Sequence, residues 1–139
     1  MTDPTGAGIS AGLEQATDLL VAALAPCAVL LYGSRVSPVP PAGADADIAV
    51  LLGGSSVDPF VLARLNTDLE AILRCDVDLV ILDDASPILA MQVLRRHKML
   101  HLTDESVWHE FLARTLTDYF DLKHTRAPIE AALLRSSRL

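Results

Sequence analysis

The sequence predicts an α/β fold, and three observations predict it. Its segments follow the order helix, strand, strand, helix, strand, helix, short strand, helix, the pattern of a sheet with helices packed on it. The strand-like runs Cys27–Tyr32, Asp45–Leu52 and Asp76–Leu82 are apolar or alternating, and the stretches between them have helical spacing. Hydrophobic residues make up 51% of the chain, which excludes a disordered polymer.

Each element has a local justification. Residues 1–9 are rich in Gly, Pro and Thr and are read as a flexible terminus. Residues 10–139 are read as a single domain, as the length of 139 residues implies. Ser10 is positioned to cap a helix running to Ala25, with Leu13, Ala16, Leu19, Leu20, Ala23 and Leu24 on one face. Pro26 stops it, and Cys27–Tyr32 is the first strand. Gly33-Ser34 is the turn that leaves this strand. Arg35–Ala44 contains Pro38, Pro40, Pro41 and Gly43 and is expected to be a loop. Asp45–Leu52 is the second strand. Asp58-Pro59 is a cap followed by a first-turn proline, opening a helix to Arg74. Asp76–Leu82 is the third strand, and Ser86-Pro87 repeats the cap-and-proline signal for a helix to Arg96. Met99–Leu102 is a short edge strand. A long helix follows from Thr103 or Asp104 to Lys123, in which Trp108, Phe111, Leu112 and Leu116 recur at the spacing of a sheet-packing face. Arg126-Ala127-Pro128 is expected to interrupt it before a last short helix over 129–134.

Bulk properties narrow the function. The net charge is −7 and the pI about 4.8, which argues against direct binding to nucleic-acid backbones. No apolar run reaches the length of a membrane span, and no basic segment opens the chain, so a cytoplasmic location is expected. Cys27 and Cys75 lack metal or redox spacing and are read as reduced thiols. His97, His101, His109 and His124 are scattered, with no carboxylate cluster to complete a ligand set.

The informative residues are three aspartates and a Gly-Ser pair. Ten residues separate Gly33-Ser34 from Asp45-Ala46-Asp47. Asp78 sits inside the third apolar run. Carboxylates in buried strands are costly unless they are paired or bind a cation. Asp45 and Asp47 project from one strand face with Cα atoms roughly 6.6 Å apart, a layout able to bridge two metal ions spaced at roughly 3.5–4 Å. Magnesium suits such oxygen ligands and usually keeps substrate phosphates in its shell. Asp78 completes the site if the third strand lies beside the second. Gly33 allows close backbone approach to an anion, and Ser34 adds a hydroxyl and an N–H. These parts fit a nucleoside triphosphate attacked directly at its α-phosphorus by an acceptor hydroxyl. The blander readings are a tight turn for Gly33-Ser34 and strand-entry capping for Asp45-x-Asp47; Asp78, amid apolar neighbours, resists that explanation.

This constellation resembles the nucleotidyltransferase superfamily of DNA polymerase β. The shortness of the chain, Asp76–Pro87 and the tail through Tyr119-Phe120-Asp121 resemble the minimal nucleotidyltransferases, MNT, of the MntA-type antitoxins paired with HEPN toxins. The resemblance implies a small mixed sheet flanked by helices. It implies transfer of AMP from ATP, with two magnesium ions, onto a tyrosine hydroxyl of a HEPN-type ribonuclease in a hetero-oligomer. It places metal ligation on Asp45, Asp47 and Asp78, catalysis on the same three, and triphosphate contact on Gly33, Ser34 and Arg35. Ser37 and Pro38 stand where the family usually has a basic residue and a glycine, and Ala44 where it often has Ser; the prolines of 38–41 are expected to alter acceptor entry. Two other readings use the same residues: transfer to a small-molecule hydroxyl, and neutralisation of a partner by occlusion without catalysis.

Overall fold

The computed structural model describes residues 4–36 and 45–137. The proline-rich stretch 37–44, expected as a loop, lies outside the described residues. The elements are α1 (Pro4–Leu24), β1 (Ala28–Tyr32), β2 (Ala46–Leu51), α2 (Pro59–Leu73), β3 (Val77–Ile81), α3 (Pro87–Arg95), β4 (His97–Leu102) and α4 (Glu105–Ser137), with short 3₁₀ turns at Gly33–Val36 and Leu82–Asp84. The sheet order is β3-β2-β1-β4. β1 is antiparallel to both β2 and β4, whereas β2 and β3 are parallel across the α2 connection. This is the mixed sheet with flanking helices of the expected fold.

Side-chain alternation divides the core between the two sheet faces. Val29, Leu31, Ile48, Val50, Val77 and Leu79 point to the layer that contains Ala16 and Leu20 of α1 and Leu65 and Leu69 of α2. Ala28, Leu30, Tyr32, Ala49 and Leu51 point the other way, toward Ala90 and Val93 of α3 and Trp108 and Phe111 of α4. A strand covered on both faces reads as a continuous apolar run, and β1 is buried at all five positions.

The caps follow the sequence signals. Asp58 accepts from the Phe60 N–H at 2.8 Å, Ser86 Oγ from Leu89 at 3.1 Å, and Asp104 from Val107 at 3.1 Å. α2 closes on Arg74 in the left-handed region, φ 56°.

Three boundaries differ from expectation. The edge strand expected at Met99 begins at His97, which pairs with Tyr32. α1 begins at Pro4, within the stretch read as a flexible terminus, so Ser10 is an interior residue and not the cap; proline's fixed φ suits a first helical position. α4 runs unbroken through Pro128 to Ser137, without the expected interruption or separate last helix. A proline ring removes one backbone hydrogen bond, and here strong helix formers such as Ala127, Ala131, Ala132 and Leu133 surround it. Trp108 and Phe111 are buried and stacked at 5.7 Å between centroids, while Leu116 of the same expected face is 41% exposed. No helix among the described residues is long and apolar enough to cross a membrane.

Candidate active site

The chain reverses direction between β1 and β2, and this brings the Gly-Ser turn and the aspartates to one end of the sheet. β1 finishes there with Tyr32, and β2 and β3 start there. The register aligns Tyr32 with Asp47 and Asp47 with Asp78. Directly paired residues share a sheet face, so Asp47 and Asp78 stand side by side on the α3/α4 face. Asp45, exposed, immediately precedes β2. The expected convergence of Asp47 and Asp78 is present in the backbone itself.

Electrostatics report the same convergence. Burial, then the neighbouring Asp78, then Asp45 raise the Asp47 carboxyl above the usual carboxylate range. Asp78 and Asp45 thus both act on Asp47, which is half-buried and holds its charge at a cost. Asp76 lies just before β3, exposed, and its backbone carbonyl accepts from the Ala46 N–H at 2.9 Å. It ties β2 to β3 through the main chain.

Gly33 is built into this end of the sheet for two reasons. Its φ is +79°, in the region that glycine occupies without cost. A Cβ there would lie 2.5 Å from Oδ2 of Asp47, so the Asp47 carboxylate packs against bare backbone. The turn Gly33–Val36 follows at once. Gly33 itself donates to the Arg96 carbonyl at 3.3 Å. Arg35 is half-buried and has interactions of its own. The Ser34 side chain lies outside the described residues.

The donor set is suited to a hard divalent cation. Its members are carboxylate oxygens that repel one another, and a cation would relieve the destabilised charge on Asp47. Among the described residues, no three Asp, Glu, His or Cys side chains form a ready-made metal cage. Magnesium does not require one, because it commonly takes one or two carboxylates and completes its shell with water and substrate phosphates.

The sequence reading passed over two residues of this row. Tyr32 hid inside an apolar run, where it counted as core. His97, the first residue of β4, pairs with Tyr32 on its other side. Its Nδ1 donates to the Leu94 carbonyl at 2.9 Å, and its ring meets the edge of Trp108 at 6.0 Å. At the opposite end of the sheet, Asp83 has a structural duty. Its carboxylate accepts from the N–H groups of Leu52, Gly53 and Gly54 at 2.7, 2.9 and 3.0 Å. Cys27 is a free thiol there, raised in pKa by burial and then by Asp104 and Asp83.

Comparison with known proteins gives a consistent result. The family model for polymerase beta, nucleotidyltransferase, matches residues 14–106. No curated protein sequence matches the chain. A tri-AMPylated Shewanella oneidensis HEPN toxin in complex with MNT antitoxin contains a chain similar to this one, with TM-score 0.75 and 28% identity over 90% of this chain and 98% of that one. A toxin–antitoxin structure with AMP-PNP gives TM-score 0.74 and 29% identity over 87% of this chain and 98% of that one. An MntA toxin–antitoxin structure carrying a Tyr-to-Ala substitution gives TM-score 0.69 and 30% identity over 87% and 97% of the respective chains.

Proposed function

The chain belongs to the polymerase β nucleotidyltransferase family, and within it to the minimal nucleotidyltransferases; we propose that it is an antitoxin that transfers AMP from ATP to a tyrosine hydroxyl of a cognate HEPN-type ribonuclease and so silences it. The observation that carries this reading is the match, over 90% of this chain, to a structure of MNT antitoxin with tri-AMPylated HEPN toxin. The similarity to a toxin–antitoxin structure holding AMP-PNP supports ATP as the donor.

In this reading each site residue has a role. Asp45, Asp47 and Asp78 would hold two magnesium ions between them. The chemistry such ions would supply there is activation of the attacking hydroxyl and neutralisation of the charge that develops on the leaving pyrophosphate. Gly33 admits the triphosphate to the backbone, where the N–H groups of the following turn and the Ser34 hydroxyl contact phosphate oxygens. Arg35 meets the phosphates from the same turn. Asp78, on the outer of the two parallel strands, takes the proton of the acceptor hydroxyl. The new bond joins the tyrosine oxygen to the α-phosphorus, and the bond to the β-phosphate breaks. The cytoplasm is the compartment this reading assigns, as the place where ATP and the toxin meet.

Intact-mass spectrometry of the toxin, incubated with this protein, ATP and magnesium, tests the reading. The expected result is the addition of AMP, lost in the Asp45→Asn/Asp47→Asn double variant and weakened less in Ser34→Ala, since backbone donors remain. Full neutralisation of the toxin by the double variant, with no modification, would establish occlusion in place of transfer.

A further inference from the structure

A threonine inside a helix commonly bonds its hydroxyl to the carbonyl one turn back. Thr17, Thr67 and Thr117 do so here, at 2.7, 3.2 and 2.9 Å. Thr115, two residues before Thr117 in α4, does not. It is 5% exposed, and among the described residues its hydroxyl has no hydrogen-bond partner. A polar group buried in this way is costly. Nε2 of His101 is the one polar side-chain atom sealed off without a partner among the described residues. The Thr115 oxygen is therefore not sealed: it opens on a cavity that Thr115 lines.

That cavity measures about 490 Å³, within the roughly 300–1,000 Å³ of small-molecule sites. It lies between α3 and α4 at the end of the sheet opposite the aspartates, where Leu51 pairs with Ala28, the first residue of β1. From Asp47 to Leu51 is roughly 13 Å of strand, so the two places are separate. The cavity floor is apolar and includes buried Leu82, Ala90 and Phe111. The exposed rim carries Asp83, Glu110 and Asp118 against one cation, Arg114, among the described lining residues. Asp83 is already engaged by the amides of Leu52, Gly53 and Gly54. Phe111 and Asp118 stand four and three residues from Thr115, so the three side chains are neighbours on α4.

We propose that this cavity binds a small aliphatic amine. Its ammonium donates to the Thr115 hydroxyl oxygen and to the Asp118 carboxylate, and its alkyl stem covers Leu82, Ala90 and Phe111. An anion would meet three carboxylates for one guanidinium. A wholly polar cation would leave the apolar floor uncovered. The site goes beyond the AMP-transfer reading and shares no residue with it.

Hexylammonium is the probe, titrated into the whole chain with backbone amide shifts followed by NMR. Saturable shifts at Ala90, Phe111 and Thr115, with a Kd of about 1 mM or tighter, are expected. Hexanoate, the same stem with the opposite charge, should give none there. Thr115→Val keeps the shape and removes the hydroxyl. It should weaken hexylammonium binding about tenfold, the effect of one hydrogen bond to a charged group, and leave the Tm of the free protein unchanged or raised, because no internal partner is lost. Asp118→Asn should weaken binding by a similar factor. The proposal is overturned if no saturable shift appears at these amides, if hexanoate binds there as tightly, or if either variant binds as the native chain does. A lower Tm in Thr115→Val would show that the hydroxyl already has a partner within the protein, and would overturn it too. Hexylammonium binding here in a chain that modifies no toxin would refute the transferase reading and leave this site standing.

Discussion

Replacing Gly33 by alanine perturbs the site at its tightest contact. The residue has φ +79°, where a Cβ costs about 1–2 kcal/mol. That Cβ would meet Oδ2 of Asp47 at 2.5 Å, whereas ordinary contact begins at 3.4 Å, so the carboxylate or the turn must retreat by about 0.9 Å. Retreat is awkward, because Asp47 already has Asp45 and Asp78 as neighbours and is half-buried. A misplacement of about 1 Å at a reacting centre costs on the order of 10²-fold in rate. Gly54 supplies the control. Its φ is +106°, and a Cβ there meets nothing within 4 Å. Both Gly33→Ala and Gly54→Ala should lower Tm by roughly 3–10 °C. Only Gly33→Ala should lose about two orders of magnitude in kcat for toxin modification, read from intact-mass time courses. The reasoning fails if Gly33→Ala retains kcat within about threefold of native, or if Gly54→Ala loses as much.

Two further outcomes follow from charges at the two ends of the sheet. The raised pKa of Asp47 means that its contribution to stability is full below the ordinary carboxylate pKa and is lost as pH rises through the elevated folded value. Asp47→Asn should therefore raise Tm near neutral pH while abolishing transfer. The Tm advantage, measured in melts from about pH 3 to pH 8, should grow with pH and then level off; an advantage that does not vary with pH would contradict the assignment. Asp83→Ala should cost about 1–2 kcal/mol, because one carboxylate bonds three backbone donors in a partly exposed turn. Hydrogen exchange should quicken at Leu52, Gly53 and Gly54 with transfer unchanged, and unaltered exchange at those amides would refute the clamp.

The sequence carried the elements and the aspartates because both depend on local signals. Asp58-Pro59 and Ser86-Pro87 each marked a helix start to within a residue, since a side-chain acceptor and a fixed φ are written in adjacent positions. Asp78 declared itself by being a carboxylate in an apolar strand. The neighbours of Tyr32 were not legible, because they depend on register. The connection from Arg35 to Ala44 is too long to set a hairpin register, so nothing local said that Tyr32 would face Asp47. The length of α4 was hidden for another reason: a single proline is a strong local stop signal, but it removes one hydrogen bond from a helix of 33 residues. Asp83 was missed because its partners lie 29 to 31 residues away.

The path of the chain also decides which pole of each helix looks at the site. β2 runs away from the aspartate end, so α2 starts at the far end with Pro59 and finishes at Leu73, just before β3 begins. α3 repeats the course from Pro87 to Arg95, just before β4. Both helices therefore turn their carbonyl termini, each equivalent to roughly half a negative charge, toward the end that carries Asp45, Asp47 and Asp78. In open α/β sheets whose ligands sit beyond the carboxyl ends of the strands, a phosphate meets the amino termini of helices and is attracted by them. Here the macrodipoles of α2 and α3 point the other way, while α1, which ends at Leu24 before β1 starts at the far end, runs opposite to them. In the function proposed above, a bare triphosphate would meet this negative end unfavourably, and one whose charge is offset by a bound cation would meet it less so.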